Sequence, residues 1–228
     1  MLRVARPKPD NHTIKASFKA LFLDFDGVLV DSEPIWWDII DDVARAQKLV
    51  ASEGHVERRS GIRVRDTIAT LVQNNDPLVE SMTKEVFAVG EARLASTPLA
   101  KGAIEAIQQF WNAGVVLGLV SSSNSAFLEH MLQTNAVLQY FSVLVGGDHV
   151  ERGKPAPDGY LLAASEVGVT PRLCCAVEDS SPGILAAAAA EMYVVHFGKL
   201  RVNDPDVVHH IDASTDSFAG LQSILFNH

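Results

Sequence analysis

Cysteine is nearly absent. The chain of 228 residues holds 2, Cys174 and Cys175, side by side in LCCAVED. Adjacent cysteines in an apolar run read as buried strand thiols rather than as a disulfide or a metal pair. A reducing, cytoplasmic setting is the default expectation for such a chain. Positive charge is also scarce, with 19 Lys and Arg against 28 Asp and Glu and a formal net charge of -9. No basic run is long enough to override that balance, which argues against a nucleic-acid partner. An anionic ligand would have to be held by a few placed cations and a metal. Long apolar runs are missing too, so no segment is expected to span a membrane. Residues 1–17, MLRVARPKPDNHTIKAS, lack the apolar centre of a secretory signal and read as a flexible tail. There is no internal repeat, and the one compositionally biased stretch is the alanine run 186–190, which reads as a close-packing helix.

What is present is an alternation of strands and helices. The length suits one large domain, or a core domain with a small insert. An apolar strand including Phe18 and 20–23 runs into DFDGVLVDSEP. Pro34 is placed for the first turn of a helix carrying Ile35, Trp36, Ile39, Ile40, Val43 and Ala44 at helical spacing. Further helices are expected from about 64 or 65 to 73 and from 78 to 95, separated by the turn signal Asn74-Asn75-Asp76-Pro77. From Lys101 the pattern becomes helix 103–112, strand 115–120, a helix to about 134, strand 141–145, helix 160–167, strand 173–177, helix 184–190, strand 192–197 and a closing helix over about 215–226. Strands alternating with helices predict an α/β fold with a doubly wound parallel sheet. Ligands in such sheets bind at the carboxyl ends of the strands.

Four polar groups fall at those ends or in the loops that follow. Asp24 and Asp26 close the first strand, and alternation would point both to one side if the strand continued. Two carboxylates that close are unfavourable unless a cation or a shared proton offsets them. Spacing alone suggests a metal-binding pair, and a strand end with a polar turn is the bland alternative. Ser121 and Ser122 follow a buried strand and precede a helix, where a hydroxyl and the helix amides make either a phosphate cradle or an ordinary N-cap. Lys154 lies in GKPAPD, whose prolines stiffen the loop, although a lone loop lysine is usually solvated. Glu178 and Asp179 end a strand before SSPG, as a metal-binding pair or as a cap for the next helix.

The stretch DFDGVLVDSEP, Ser121 after its strand, GGDHVERGKPAPDGY and the Glu178-Asp179 pair resemble, in order, the four motifs of the haloacid dehalogenase-like hydrolases. The resemblance covers about 18 to 200. It implies that Asp24 is the nucleophile that forms an aspartyl-phosphate and that Asp26 is the general acid and base. It further implies that Ser121 with Ser122 binds the phosphoryl group and that Lys154 neutralises the nucleophile and phosphoryl oxygens. The cofactor it implies is Mg²⁺, on the Asp24 carboxylate, the Asp26 backbone carbonyl and Asp179, with Glu178 ligating directly or through water. It also implies a core domain of 18–33 and 98–228 and a small helical cap of 34–97, with hinges near Ser32-Glu33-Pro34 and Ser96-Thr97-Pro98.

Within that resemblance, Asp26 favours phosphate-ester chemistry, because the dehalogenase and phosphonatase branches lack an Asp two residues past the nucleophile. The β-phosphoglucomutase-like branch carries a His where this chain has Trp36 and a Lys where it has Asn124. Both differences weaken a second phosphate grip. The expected activity is hydrolysis of a small phosphate monoester, a sugar or polyol phosphate, by a monomer. A phosphomutase is the alternative, and a catalytically silent phospho-ligand-binding protein is a second one. Trp36, Asn124, Arg63 and Arg65 are the candidates for substrate contact, Trp36 at the boundary of cap and core. Trp37 reads as helix packing.

Overall fold

A computed structural model describes residues 18–49, 64–94, 97–198 and 205–226. Six strands form one parallel sheet: β1 (Ala20–Leu23), β2 (Val116–Val120), β3 (Phe141–Val145), β4 (Cys174–Glu178), β5 (Tyr193–Phe197) and β6 (Ala213–Thr215), in the order β3-β2-β1-β4-β5-β6. β1 therefore sits inside the sheet, with Leu23 level with Leu119 of β2 on one side and Val177 of β4 on the other. The winding reverses direction between β2 and β4, and a crevice at the carboxyl end of β1 follows from that reversal.

Alternation along β1 divides the core. Ala20 and Phe22 point to a layer made with Tyr160, Ala163 and Ala164 of α6 (Asp158–Val167), Ile184, Ala186 and Ala187 of α7 (Ser181–Ala189) and Val207 of α8 (Pro205–Val208). Leu21 and Leu23 point to the other layer, with α4 (Ala103–Asn112), α5 (Ser125–Thr134) and α9 (Phe218–Leu225). The alanines of α7 let that helix lie close against the sheet, and the apolar, fully buried β1 and β4 fit a sheet covered on both faces.

Between β1 and α4 lie α1 (Glu33–Ala46), α2 (Val64–Leu71) and α3 (Asp76–Leu94). They pack on one another through Ile39, Ile40 and Val43 of α1, Ile68 of α2, and Val79, Met82 and Val86 of α3, all buried. The same apolar cluster continues into Phe127 of α5 and Phe25 after β1. Arg93 of α3 closes the outer edge of this packing with an ion pair to Asp42 of α1 at 3.0 Å. The expected tail 1–17, the charge-rich stretch between the first two helices and the residue Ser96 of the second hinge lie outside the described residues.

The elements differ from the sequence expectation chiefly at helix starts. α3 begins at Asp76, α6 at Asp158 and α7 at Ser181, each two or three residues earlier than the apolar pattern suggests. Each start lies beside a proline, Pro77, Pro157 or Pro182. Proline has no N–H to lose where the first helical amides are unpaired anyway. The closing helix starts later, at Phe218, because Ser217 caps it through Gly220 N–H and the preceding Ala213–Thr215 pairs with β5 as a strand.

Candidate active site

β1 ends at Leu23, and the chain then folds back on itself. Gly27 N–H donates to Val30 O, and Leu29 and Val30 N–H both donate to Phe25 O. The side chains of Asp24 and Asp26 thus do not continue a strand, and they enter separate hydrogen-bond sets. Asp24 stays in register with the sheet, its N–H on Val177 O at 3.0 Å. Its carboxylate is buried, with Oδ1 accepting from Phe25 N–H at 2.7 Å and Oδ2 lying 3.1 Å from Lys154 Nζ.

Lys154 reaches this point from the loop before α6, where the Lys154–Pro155 peptide bond is cis. Its side chain is 6% exposed, and Nζ has three acceptors: Asp24, Glu178 Oε1 at 2.5 Å and Val120 O at 3.2 Å. It is therefore not a solvated loop lysine. Burial works against its charge, but the Asp24 and Glu178 carboxylates outweigh that and hold the ammonium above the ordinary lysine range. Tyr160, one turn into α6, donates its hydroxyl to the same Glu178 Oε1 at 2.5 Å. Burial, followed by the Glu178 charge, raises its phenol well above the usual range.

Glu178 closes β4 and is fully buried. Oε1 is shared by Lys154 and Tyr160, and Oε2 accepts from Ser180 Oγ at 3.4 Å. Asp179, the next residue, is half-buried. Neither acid caps α7, since the cap is Ser180, which accepts from Gly183 N–H. Ligand oxygens of Asp24, Glu178 and Asp179 lie within 4.8 Å of one another. Burial first, then the Glu178 charge, pushes the Asp24 carboxyl well above its ordinary range, with Lys154 opposing. Three clustered carboxylates with one ammonium leave an excess of negative charge that a small hard cation fits. Glu178 is held by Lys154, Tyr160 and Ser180, and Asp24 by Lys154 and Phe25 N–H, which keeps these carboxylates in place beside Asp179. Gly27 makes room for them. Its φ of +78° is a left-handed conformation, and a Cβ there would fall on the Asp179 carboxylate.

Asp26 is held from two sides. Oδ1 accepts from Ser32 Oγ and from the indole Nε1 of Trp36 at 3.0 Å. Oδ2 accepts from Ser123 Oγ at 2.7 Å and lies 3.4 Å from Ser121 Oγ. Ser121 follows β2 and accepts from Ser123 N–H at 3.1 Å, which curls the loop toward Asp26. The cap of α5 is Asn124, whose Oδ1 accepts from Ala126 N–H, so Ser121 is not the N-cap and the Asn124 side chain is engaged locally. Ser122 is half-buried in the same loop.

The site thus joins Asp24, Asp26, Ser121, Lys154, Glu178 and Asp179. Trp36 lies at its edge, buried between α1, α3 and α5, and Trp37 is buried in the helical packing as expected. Arg65 is exposed in the first turn of α2, and among the described residues no hydrogen bond or ion pair joins it to the site. Arg63 lies outside the described residues. Sequence reasoning missed Ser32, Ser123 and Tyr160. Ser32 and Ser123 stood within or beside the quoted motifs, but their hydroxyls meet Asp26 only once the chain folds back after β1.

A parallel sheet of this order, with an acidic cluster and a buried lysine at its carboxyl edge, makes a doubly wound α/β fold with a charged site at its switch point. Residues 20–197 match the haloacid dehalogenase-like hydrolase family, and the chain belongs to that family of enzymes. It is 31% identical over 184 residues to hexitol phosphatase B of Escherichia coli, covering 76% of this chain and 80% of the relative. It is 30% identical over 188 residues to the fructose-1-phosphate phosphatase YqaB of the same organism, covering 78% and 95%. Among solved structures, β-phosphoglucomutase of Clostridium difficile superposes with a TM-score of 0.75 at 18% identity, covering 90% of this chain and 93% of that one. CbbY of Rhodobacter sphaeroides, in complex with phosphate, superposes with a TM-score of 0.76 at 23% identity, covering 90% and 96%. At these identities the superpositions show a shared fold.

Proposed function

We propose that this chain is a Mg²⁺-dependent phosphatase that hydrolyses a small phosphate monoester, a sugar or polyol phosphate, through an aspartyl-phosphate on Asp24. The observation that carries the reading is the pairing of Lys154 with the buried Asp24 beside Asp179, while Asp26 is turned to the Ser121 loop. The similarity to hexitol phosphatase B and to fructose-1-phosphate phosphatase supports the substrate class. Mg²⁺ held by Asp24, Asp179 and the Asp26 carbonyl would neutralise the repulsion between carboxylate and phosphate.

In the first step an Asp24 carboxylate oxygen attacks phosphorus, the ester P–O bond breaks, and Asp26 gives its proton to the leaving oxygen, releasing the alcohol. Lys154 offsets charge on Asp24 and the phosphoryl oxygens, and Ser121 with Ser122 and the α5 amides binds the phosphoryl group. In the second step Asp26 takes a proton from water, the oxygen attacks phosphorus, and the bond to Asp24 breaks to give inorganic phosphate. The helices α1, α2 and α3, joined to the core at Ser32 and at Thr97-Pro98, act as a cap over this site, which limits access of bulk water.

A panel of hexitol, hexose and glycol phosphates, assayed for phosphate release with Mg²⁺ and with EDTA, tests the reading. Mg²⁺-dependent release from sugar or polyol phosphates is expected. Efficient isomerisation of β-glucose 1-phosphate, primed with the corresponding bisphosphate and without net phosphate release, would make the chain a phosphomutase. Tight retention of a phosphate ester with neither activity would make it a binding protein.

A further inference from the structure

Trp36 stands where two packing systems meet. Its ring is edge-on to Phe87 of α3, with centroids 5.7 Å apart, and to Phe127 of α5 at 5.4 Å. Gly90, one turn past Phe87, has no side chain where the indole lies, and a Cβ there would overlap the ring. With 6% of its surface exposed, the indole has its plane and position set by both helices. Its one polar atom, Nε1, is aimed at Asp26 Oδ1 at 3.0 Å.

The donors around Asp26 divide by origin. Oδ1 is held by Ser32 and Trp36, from the turn before α1 and from α1 itself. Oδ2 is held by Ser121 and Ser123, from the loop between β2 and α5. An indole N–H can only donate, so it fixes Oδ1 as an acceptor and leaves Oδ2 as the oxygen turned toward the Ser121 loop. A hydroxyl such as that of Ser32 rotates freely about its C–O bond. The indole does not, since its ring is clamped by Phe87, Phe127 and the space at Gly90.

We infer that Trp36 is a positioning residue: its indole N–H fixes the rotamer of Asp26, and so the direction in which that carboxylate faces the leaving oxygen. The inference rests on the proposed acid and base role of Asp26. A tryptophan that served packing alone would be replaced by phenylalanine with little kinetic effect, because Phe keeps a ring between Phe87 and Phe127. A positioning tryptophan would not.

The test compares wild type, Trp36→Phe and Asp26→Ala on an alkyl phosphate of the sugar or polyol class and on p-nitrophenyl phosphate, whose leaving group needs little protonation. Trp36→Phe is expected to lower kcat/KM on the alkyl ester roughly tenfold, the worth of one hydrogen bond, with a smaller loss on p-nitrophenyl phosphate. Asp26→Ala should show the same selectivity more strongly. The second measurement needs no variant of Trp36: the ¹H–¹⁵N spectrum of the three indoles, in which the Trp36 Nε1–H signal should move upfield in Asp26→Ala. If Asp26→Ala loses kcat/KM equally on both esters, a ratio that reports only the steps through release of the alcohol, the acid role fails and this inference falls with it. If Asp26→Ala is selective but Trp36→Phe matches wild type, or the indole signal stays in place, the positioning role alone is overturned.

Discussion

Lys154 Nζ lies closer to Glu178 Oε1, at 2.5 Å, than to Asp24 Oδ2, at 3.1 Å. The cation beside Asp24 is therefore anchored from behind by a second carboxylate that is itself fully buried. Replacing Lys154 by Met would leave both acids without that partner in a dry site. A stability loss of about 3–5 kcal/mol is expected, measured by urea unfolding of the metal-free protein. Added Mg²⁺ should recover part of the loss.

The same anchoring separates the two acids that end β4. Glu178 is held by Lys154, Tyr160 and Ser180 from within the acidic cluster that it shares with Asp24 and Asp179. Asp179→Asn is expected to weaken Mg²⁺ binding, read by calorimetry, by tenfold or more on the scale of a lost ligand. Glu178→Gln should cost less metal affinity but more folding stability. Equal losses of affinity in the two variants would assign Glu178 as a direct ligand.

Asp24→Asn keeps the shape of the side chain and its contact with Phe25 N–H. Turnover should fall below detection while the circular dichroism spectrum stays that of wild type. Phosphate release at the wild-type rate would remove Asp24 as the nucleophile.

Gly27→Ala tests the crowding at the acidic cluster. The new methyl group meets the Asp179 carboxylate, and the backbone at φ +78° is strained for any other residue. A loss of about 1–3 kcal/mol in stability is expected, together with weakened Mg²⁺ binding. Normal metal affinity in the folded variant would show that Asp179 can move without losing its role.

Asp148 gives a pH test away from the active site. Burial raises its carboxyl, but hydrogen bonds from the Ser125 hydroxyl and N–H outweigh burial and lower it from the ordinary 3.8. A lowered folded-state value stabilises the protein above the ordinary value, and this contribution is lost as pH falls through the folded-state value. Asp148→Asn should therefore melt below wild type at neutral pH. The gap should close as pH is taken from about 4 downward. A gap that is constant with pH would point to shape rather than charge as the contribution of Asp148.

Much of this arrangement is legible in the sequence. β1, β2 and β4 are apolar runs that stop at Asp24, Ser121 and Glu178-Asp179, so the polar groups at one edge of the sheet can be read from where each run breaks. The burial of Lys154 is not legible in this way. GKPAPD is a loop by every local signal, and its lysine is turned inward by Glu178, Asp24 and Val120 O at the ends of β4, β1 and β2. The cradle of Asp26 is equally hidden, because Ser32 and Trp36 at the start of α1 and Ser123 after β2 come from two segments that meet after the chain folds back past β1. Short β6 and the four-residue α8 are not legible because neither carries a periodic apolar pattern, and each exists through its packing on β5 or α7. The apolar pattern starts a helix too late where a proline precedes its first apolar residue.

The interior position of β1 has a consequence for how the molecule breathes. Each residue from Ala20 to Leu23 is paired on both sides, and the Asp24 amide extends this protection one residue past the strand by its bond to Val177 O. In deuterated solvent these amides should be among the last to exchange, reporting global rather than local opening. Asp24 is thus carried by a stretch of backbone expected to stay closed through the excursions that loosen the surrounding loops. The buried carboxylate beside Lys154 is tied to the part of the chain with the fewest ways to wander.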